Sequence, residues 1–314
     1  MTPALLVFCY ALAVAWFLPP LLTRLTRYGI GPRLGLTAWV TAMGSVLASA
    51  ALALQFLIRA AVAGWPRLSE VVCRSVAGGA CTPVVYRSAL FEAALGAAAV
   101  TAALTAAALA WSYGRRTQRA RRRTRAHAAA ARITGRQLPG TGAVVLDAPR
   151  PAAYCVPGRP AAIVVTSAAL AVLDAAQLGA VLAHERAHLA GRHHALITLT
   201  RGFAAAFPSV PLFTRGPAQV ARLAEMRADD AAARRSGRRT LVAALLAIGT
   251  GTAVPAVSLP ATALAATGGA VTARVQRLLE PPHRGRLTGY AAALAAVMLL
   301  LVVAAGLITA YAAR

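Results

Sequence analysis

Four long apolar runs constrain the fold of this 314-residue sequence more than any other feature. They cover about residues 3–22, 34–57, 88–113 and 287–312. About 20 apolar residues suffice for a helix to cross a lipid bilayer, and each run reaches that length. Hydrophobic residues make up 58% of the chain, more than is usual for soluble domains. The sequence therefore predicts a mainly α-helical membrane protein with about four transmembrane helices.

The first apolar run has two interpretations, a cleaved signal peptide and a retained anchor. A signal peptide needs a basic start, a shorter apolar core and a small-residue cleavage site. The opening residues Met1, Thr2 and Pro3 carry no positive side chain. We therefore expect a retained membrane helix, ended or kinked at Pro19 and Pro20.

The distribution of arginine predicts the orientation in the membrane. The net charge is +24, the sequence has no lysine, and the densest positive block is 114–137. Positive flanks favour the cytoplasmic side, so we expect 114–286 inside the cell. The loop 59–87 and both termini then lie outside. No helix-turn-helix or zinc-finger pattern accompanies the charge, so we expect contact with the lipid bilayer and no direct nucleic-acid binding.

Two cysteines, Cys73 and Cys81, fall in the predicted outer loop. Disulfides persist outside the cytoplasm, so this pair is a candidate bridge. Two unpaired thiols are the alternative, because spacing alone does not define the required geometry.

Between the third and fourth apolar runs the sequence indicates an α+β domain. Glycine and proline separate short β-prone segments, and two helical patterns follow them. Strands followed by helices are typical of α+β domains. The predicted strands are 143–147, 153–156 and 161–166, and the predicted helices are about 174–200 and 217–235.

Two apolar stretches of this domain, 196–213 and 241–269, complicate the membrane map. Proline or glycine interrupts both of them. We expect buried or membrane-abutting helices and loops there. A re-entrant hairpin is the alternative, because irregular backbone at membrane depth is tolerated where protein covers it.

The segment His184-Glu185-Arg186-Ala187-His188 carries the strongest chemical signal. Residues four apart share one face of a helix, so both imidazoles can reach one metal ion. Glu185, one step around the helix, is placed to take a proton from a zinc-bound water. A solvated polar face is the alternative, but apolar residues surround the motif. We therefore predict that His184 and His188 are zinc ligands and that Glu185 is the general base.

A zinc ion held by two histidines needs a third protein ligand and an open position. Glu225, on the second predicted helix, is the candidate, with one Zn²⁺ expected per chain. Asp229 lies four residues later on the same face, where it can orient a ligating imidazole. On spacing alone, solvated surface charges remain the alternative.

Three residues near the motif have less definite roles. His193 and His194 are candidates for stabilising a developing oxyanion, with a helix-end charge as the alternative. Cys155 is expected in the reduced state, as a residue of a strand core.

The motifs H-E-x-x-H at 184–188 and E-x-x-x-D at 225–229 resemble those of membrane-embedded gluzincin zinc peptidases. The segments 154–158, 163–167 and 274–279 fit the same resemblance. In motif it covers about residues 140–280. Two types are similar: the BlaR/MecR antirepressor type, with its peptidase domain between the third and fourth membrane helices, and the HtpX type, with two helices before the motif. Three preceding runs favour the antirepressor type.

The resemblance implies a zincin-like cytoplasmic peptidase domain that cleaves a protein substrate, such as a winged-helix transcription repressor. The β-lactam receptors of that type carry a large extracellular sensor domain after the last membrane helix; we expect no such domain here and therefore no β-lactam sensing. HtpX-like quality control of membrane proteins and a non-catalytic transducer with a vestigial site are the alternatives. The expected domains are three transmembrane helices in 1–113, a basic linker in 114–137, the zinc metallopeptidase domain in 138–286 and a C-terminal transmembrane helix in 287–314.

Overall fold

The computed structural model describes residues 2–29, 31–64, 89–158, 160–254, 269–280 and 284–312. In this part of the chain most residues are helical. The helices are α1 Thr2–Thr26, α2 Pro32–Gly64, α3 Ala89–Thr134, α4 Ser167–Val172, α5 Ala175–Ala190, α6 His193–Ala206, α7 Pro211–Ser236, α8 Arg238–Thr250, α9 Gly269–Leu279 and α10 Arg284–Ala312. The strands are β1 Arg136–Leu138, β2 Ala143–Leu146, β3 Ala153–Val156 and β4 Ala162–Thr166.

Three helices are long and apolar enough to cross a membrane. The candidate spans are Leu5–Thr26 in α1, Pro32–Val62 in α2 and Ala93–Thr134 in α3, each of which contains an apolar window of 18 residues. Helix α10 contains a shorter apolar part, Thr288–Val303, within the described residues. It packs against α1 and α2. Three of the four expected spans are therefore confirmed as helices of sufficient length, whereas the count of four is not established.

We expected helix α1 to end or kink at its two prolines, and it does not end there. It continues through Pro19 and Pro20 to Thr26. The hydroxyl of Thr23 donates to the carbonyl of Pro19 at 2.8 Å, within the last turns of the helix.

The basic block is a continuation of the third long apolar helix, α3. Helix α3 has 46 residues and runs from the apolar segment through the arginines without a break. At 1.5 Å per residue it is about 70 Å long. Alanine and arginine are good helix formers, and no glycine or proline occurs between 115 and 134. The helix stops at Gly135, where a β-carbon would collide with Val144.

The four strands form one mixed sheet in the order β1-β2-β4-β3. Strands β2 and β4 are parallel, and both outer pairs are antiparallel. The three predicted strands are confirmed, whereas β1 was not predicted. Ala128 and Ala131 of α3 pack on one face of the sheet, and Leu182 of α5 packs on the other. Helix α5, which carries the H-E-x-x-H motif, thus packs directly against the sheet.

The predicted helix at 174–200 is in fact two helices. Helix α5 begins with a capping box between Asp174 and Gln177 and ends at Ala190. Arg192 has a left-handed backbone conformation, with φ of 49°. This residue turns the chain, and α6 starts at His193. The turn sends α6 away from the sheet and towards the membrane helices.

The stretch 196–213 packs against the membrane helices. The rings of Phe203 in α6 and Tyr113 in α3 are stacked, with centroids 5.4 Å apart. Phe213 in α7 is buried in the same apolar cluster as Trp39 and Met43 of α2. The stretch therefore packs on the apolar helices, and its position relative to the membrane stays a prediction.

The stretch 241–269 behaves differently. Residues Leu241–Ala247 of α8 are buried against Ala180 of α5 and Val275 of α9. The amide of Gln177 also donates to the carbonyl of Val254 at 2.6 Å. This first part thus belongs to the core of the inner domain, and residues 255–268 lie outside the described part of the chain.

Candidate metal centre

His184 and His188 lie one turn apart on α5 and point to the same place. Their Nε2 atoms are 3.0 Å apart, and each residue is only 7% exposed. Helix α5 can bury these polar groups because its other faces carry small apolar residues such as Ala180, Ala183 and Val181. The imidazoles therefore converge as the spacing of the motif predicts.

Helix α7 brings Glu225 to the two imidazoles. One carboxylate oxygen lies 3.5 Å from His184 Nε2, and the other lies 3.4 Å from His188 Nε2. Burial alone would raise the pKa of Glu225, but the contacts with both histidines and with Arg274 hold it well below its usual range. Glu225 is therefore a carboxylate at neutral pH.

The donor set fits zinc. One ligand atom from each of His184, His188 and Glu225 lies within 4.8 Å of the others. Two ligands of a tetrahedral zinc at about 2.0–2.1 Å are about 3.3 Å apart, close to the spacings of 3.0, 3.4 and 3.5 Å found here. Burial lowers the pKa of His184, yet the nearby carboxylates of Asp229 and Glu225 raise it to about 9. Surroundings that favour a protonated imidazole also favour a bound cation.

Asp229 and Arg274 form a second layer behind the ligands. The fully buried Asp229 has one carboxylate oxygen 3.1 Å from His184 Nδ1, close but poorly aligned for a hydrogen bond. Arg274 donates to both Asp229 oxygens, from Nε at 2.8 Å and from Nη2 at 2.6 Å. Its Nη1 also lies 3.1 Å from Glu225. One guanidinium thus joins the third ligand candidate to the carboxylate behind His184.

Glu185 occupies the next position after His184 on α5. It is 9% exposed, and burial raises its pKa against the opposing effect of His184 and His188. The thiol of Cys155, on β3, lies close enough to Glu185 for each group to affect the pKa of the other. Burial and this carboxylate raise the pKa of Cys155 above its usual range, so the thiol stays protonated.

His193 and His194 occupy different places beside the site. His193 is fully buried, and its Nδ1 lies 3.0 Å from His188 Nδ1. Burial and the positive charge of neighbouring groups, His188 first, lower its pKa to about 4. His194 is exposed, with Nε2 3.2 Å from the sulfur of Cys155. His193 is thus placed to orient His188, while His194 keeps the accessibility that an oxyanion-stabilising side chain needs.

Sequence reasoning missed two residues of this arrangement, Cys155 and Arg274. Cys155 is a buried strand residue, as predicted, but it also contacts Glu185. Arg274 was noticed only as part of the segment 274–279. In a chain with 33 basic residues, no local signal distinguishes this arginine from the others. Cys73 and Cys81, the candidate disulfide, lie outside the described residues. Within the described residues, Cys9 and Cys155 are free thiols.

A mixed sheet, a helix carrying H-E-x-x-H and a second helix supplying a glutamate form an arrangement typical of gluzincin metallopeptidases. Residues 114–210 match the model of Peptidase family M48. The match covers about a third of the chain and is a similarity to metallopeptidases of this family. The matched range includes the motif on α5 and ends before Glu225. No curated protein and no solved structure matches the chain.

Proposed function

We propose that the chain is an integral-membrane zinc metalloendopeptidase in which His184, His188 and Glu225 hold the metal. The convergence of these three side chains within 4.8 Å is the observation that carries the proposal. The family M48 match and the three apolar helices support it. A vestigial site in a transducer is a weaker explanation, because Glu185 and Asp229 also lie beside the proposed metal ligands.

The proposed chemistry divides between the metal and the protein. When bound, zinc lowers the pKa of a coordinated water and polarises the scissile carbonyl. Glu185 lies beside the metal ligands and accepts the proton of the attacking water, which it later passes to the leaving amine. Asp229, braced by Arg274, keeps the His184 ring in place. His193 does the same for His188, and His194 is the candidate for stabilising the oxyanion.

Strand β3 offers a binding edge for a peptide substrate. It lies at the end of the sheet, with β4 as its hydrogen-bonded neighbour. It packs next to α5 and carries Cys155, which touches Glu185. An extended peptide added along such an edge gains main-chain hydrogen bonds. Its scissile bond would then lie over the proposed metal ligands.

The site can be tested by comparing metal content with hydrolysis in the purified full-length protein. We expect about one zinc per chain in the wild type, and loss of zinc in His184→Ala and Glu225→Ala. Glu185→Gln should keep the metal and lose peptide hydrolysis. Glu280→Gln is the matched control for Glu185→Gln, because Glu280 is exposed and lies outside the site. Full zinc retention in Glu225→Ala would show that the third ligand is another residue.

For the substrate, we propose a cytoplasmic protein cut in a regulatory step, with a winged-helix transcription repressor as the specific candidate. The arginines of 114–137, and the placement of the α+β domain between α3 and α10, support a cytoplasmic site in the domain 138–286. The long helical extension of α3 holds the sheet away from the apolar segment, within reach of soluble proteins. Packing of α6 and α7 on the membrane helices instead favours the alternative, membrane-protein quality control.

Proteomes of cells that carry the intact enzyme or Glu185→Gln distinguish the two substrates. A regulatory peptidase leaves one repressor intact only in the mutant cells. Accumulation of many misfolded membrane proteins, with every repressor uncut in both strains, would replace regulation by quality control. Such a result would leave the proposed zinc chemistry untouched.

A further inference from the structure

A basic groove lies on the side of α5 and α7 that faces away from the metal centre. Its volume is about 290 Å³, and five arginines line it. They come from three helices: Arg33 from α2, Arg186 from α5, and Arg227, Arg234 and Arg235 from α7. The remaining lining residues are alanines and one glycine, which leave the space between the arginines open.

We propose that this groove binds a phosphate-bearing anion, supplied either by a phospholipid headgroup or by free phosphate. The guanidinium group donates two parallel hydrogen bonds to a phosphate, which makes arginine the preferred residue for this recognition. A phosphate bound by arginines of α2, α5 and α7 would neutralise part of the positive charge on each of these three helices. The small volume suits a phosphate group and its immediate substituent better than a large ligand.

The charge of the groove is not compensated within the described residues. Its lining includes no acidic side chain. The salt bridges that arginine forms in this part of the chain belong to Arg274 and Arg277, outside the groove. Arg186 donates to the backbone carbonyl of Thr141 at 2.8 Å, a neutral partner. Like charges held this close repel each other, so an anion that binds here stabilises the arrangement.

The groove is separate from the metal centre but shares its two helices. On α7, Arg227, Ala231 and Arg234 lie about half a turn away from Glu225 and Asp229. On α5, Ala183 and Arg186 are likewise turned away from the metal-ligand face. An anion in the groove would therefore contact neither a metal nor a peptide substrate. Its binding does not depend on the proposed peptidase activity.

The position of Arg33 indicates where the anion comes from. It is the second residue of α2, a helix apolar enough to cross the membrane. The start of such a helix lies at the level of the lipid headgroups, where anionic phospholipids attract basic side chains. A phospholipid headgroup is therefore the source that the geometry favours, with soluble phosphate as the other.

The test measures binding to the full-length protein in a neutral detergent. Thermal unfolding is followed during titration with dihexanoyl phosphatidylglycerol, with sodium phosphate and with the zwitterionic dihexanoyl phosphatidylcholine, at constant ionic strength. We expect phosphatidylglycerol to raise the unfolding temperature and phosphatidylcholine to leave it nearly unchanged. The double variant Arg227→Gln/Arg234→Gln should bind phosphatidylglycerol at least about tenfold more weakly, since it loses two charge-assisted contacts.

Two further variants separate the groove from general charge and from folding. Arg119→Gln/Arg122→Gln removes the same charge from exposed positions on α3 and should keep wild-type affinity within about twofold. Ala231→Leu fills the groove without changing charge and should weaken binding as the double variant does. A response to sodium phosphate equal to that for phosphatidylglycerol would identify soluble phosphate as the ligand. Equal affinity in wild type, groove variants and control would overturn the proposal.

Discussion

At the scale of single residues, two arginines on α9 have different tasks although they are one turn apart. Arg274 contacts Asp229 and Glu225, next to the proposed metal ligands. Arg277 pairs with Asp230 and donates to the carbonyl of Gly29, in the turn between α1 and α2. The contacts of Arg274 hold the carboxylates at the proposed metal site. The contacts of Arg277 hold the inner domain against the turn between α1 and α2.

Replacing each arginine by glutamine should separate these tasks. Arg274→Gln releases the carboxylates behind the ligands, and we expect zinc affinity and hydrolysis to fall about 10–100-fold. Arg277→Gln should leave zinc affinity unchanged and lower stability by about 1–3 kcal/mol, because it leaves Asp230 unpaired. Chelator competition measures the affinity, and thermal unfolding measures the stability. An equal loss of zinc affinity in both variants would mean that Arg274 acts only through general stability.

At the scale of helices, close packing between α6 and α3 depends on a glycine. A β-carbon at Gly202 would lie inside the ring of Tyr113, which is itself stacked on Phe203. The resulting overpacking costs about 1–3 kcal/mol. Alanine gains about 0.5–1 kcal/mol over glycine in a helix interior, so the clash outweighs the gain. We expect Gly202→Ala to lower the thermal unfolding temperature.

Gly179 provides the matched control within α5. A β-carbon there meets no atom within 4 Å, so Gly179→Ala should raise the unfolding temperature. Truncating the partner, in Tyr113→Ala/Gly202→Ala, should remove the specific cost of the clash. Stabilisation by Gly202→Ala alone would show that α6 does not pack on α3 as described.

The elements themselves were only partly predictable from the sequence. The strands at 143–146, 153–156 and 162–166 were found because β-branched residues and turn residues mark them. Strand β1 has three residues, Arg136–Leu138, and shows no alternation, so its existence depends on pairing with β2. The basic linker was expected as a separate segment because its charge differs, but helix propensity depends on residue type and extends α3 through it.

The candidate site was more predictable than the fold, for a geometric reason. His184, Glu185 and His188 are local to one helix, and helical spacing alone places them together. Glu225 and Asp229 needed only a second helix with the same spacing. Cys155 and Arg274 reach the site through tertiary packing of β3 and α9, which no local pattern reports.

At the scale of the whole molecule, α7 joins the membrane helices to the metal centre. Its first half buries Leu212, Phe213 and Leu223 against α1 and α2. Its second half carries Glu225 and Asp229. Arg222, between the two halves, donates to the carbonyls at the end of α1. A displacement of the apolar helices α1 and α2 would therefore move the third ligand candidate together with α7.

The side of the membrane on which the domain 138–286 lies decides which proteins it can reach. The C-terminal part of helix α3, which leads to the sheet, is rich in arginine. Arginine-rich segments that flank apolar helices favour the cytoplasmic side. We expect a reporter fused after Gln137 to behave as cytoplasmic and one fused after Arg314 as external, because a single apolar run, 287–312, follows the domain. The measurement compares a phosphatase reporter, active outside, with a fluorescent reporter, active inside, at both positions. Both positions reporting the same side would mean that 287–312 does not cross the membrane, or that the α6–α7 region crosses as well.

Exchange of the exposed residues Arg119, Arg122 and Arg125 for glutamine should weaken the preference of the reporter at Gln137 for the cytoplasmic side, since the positive flank determines that preference.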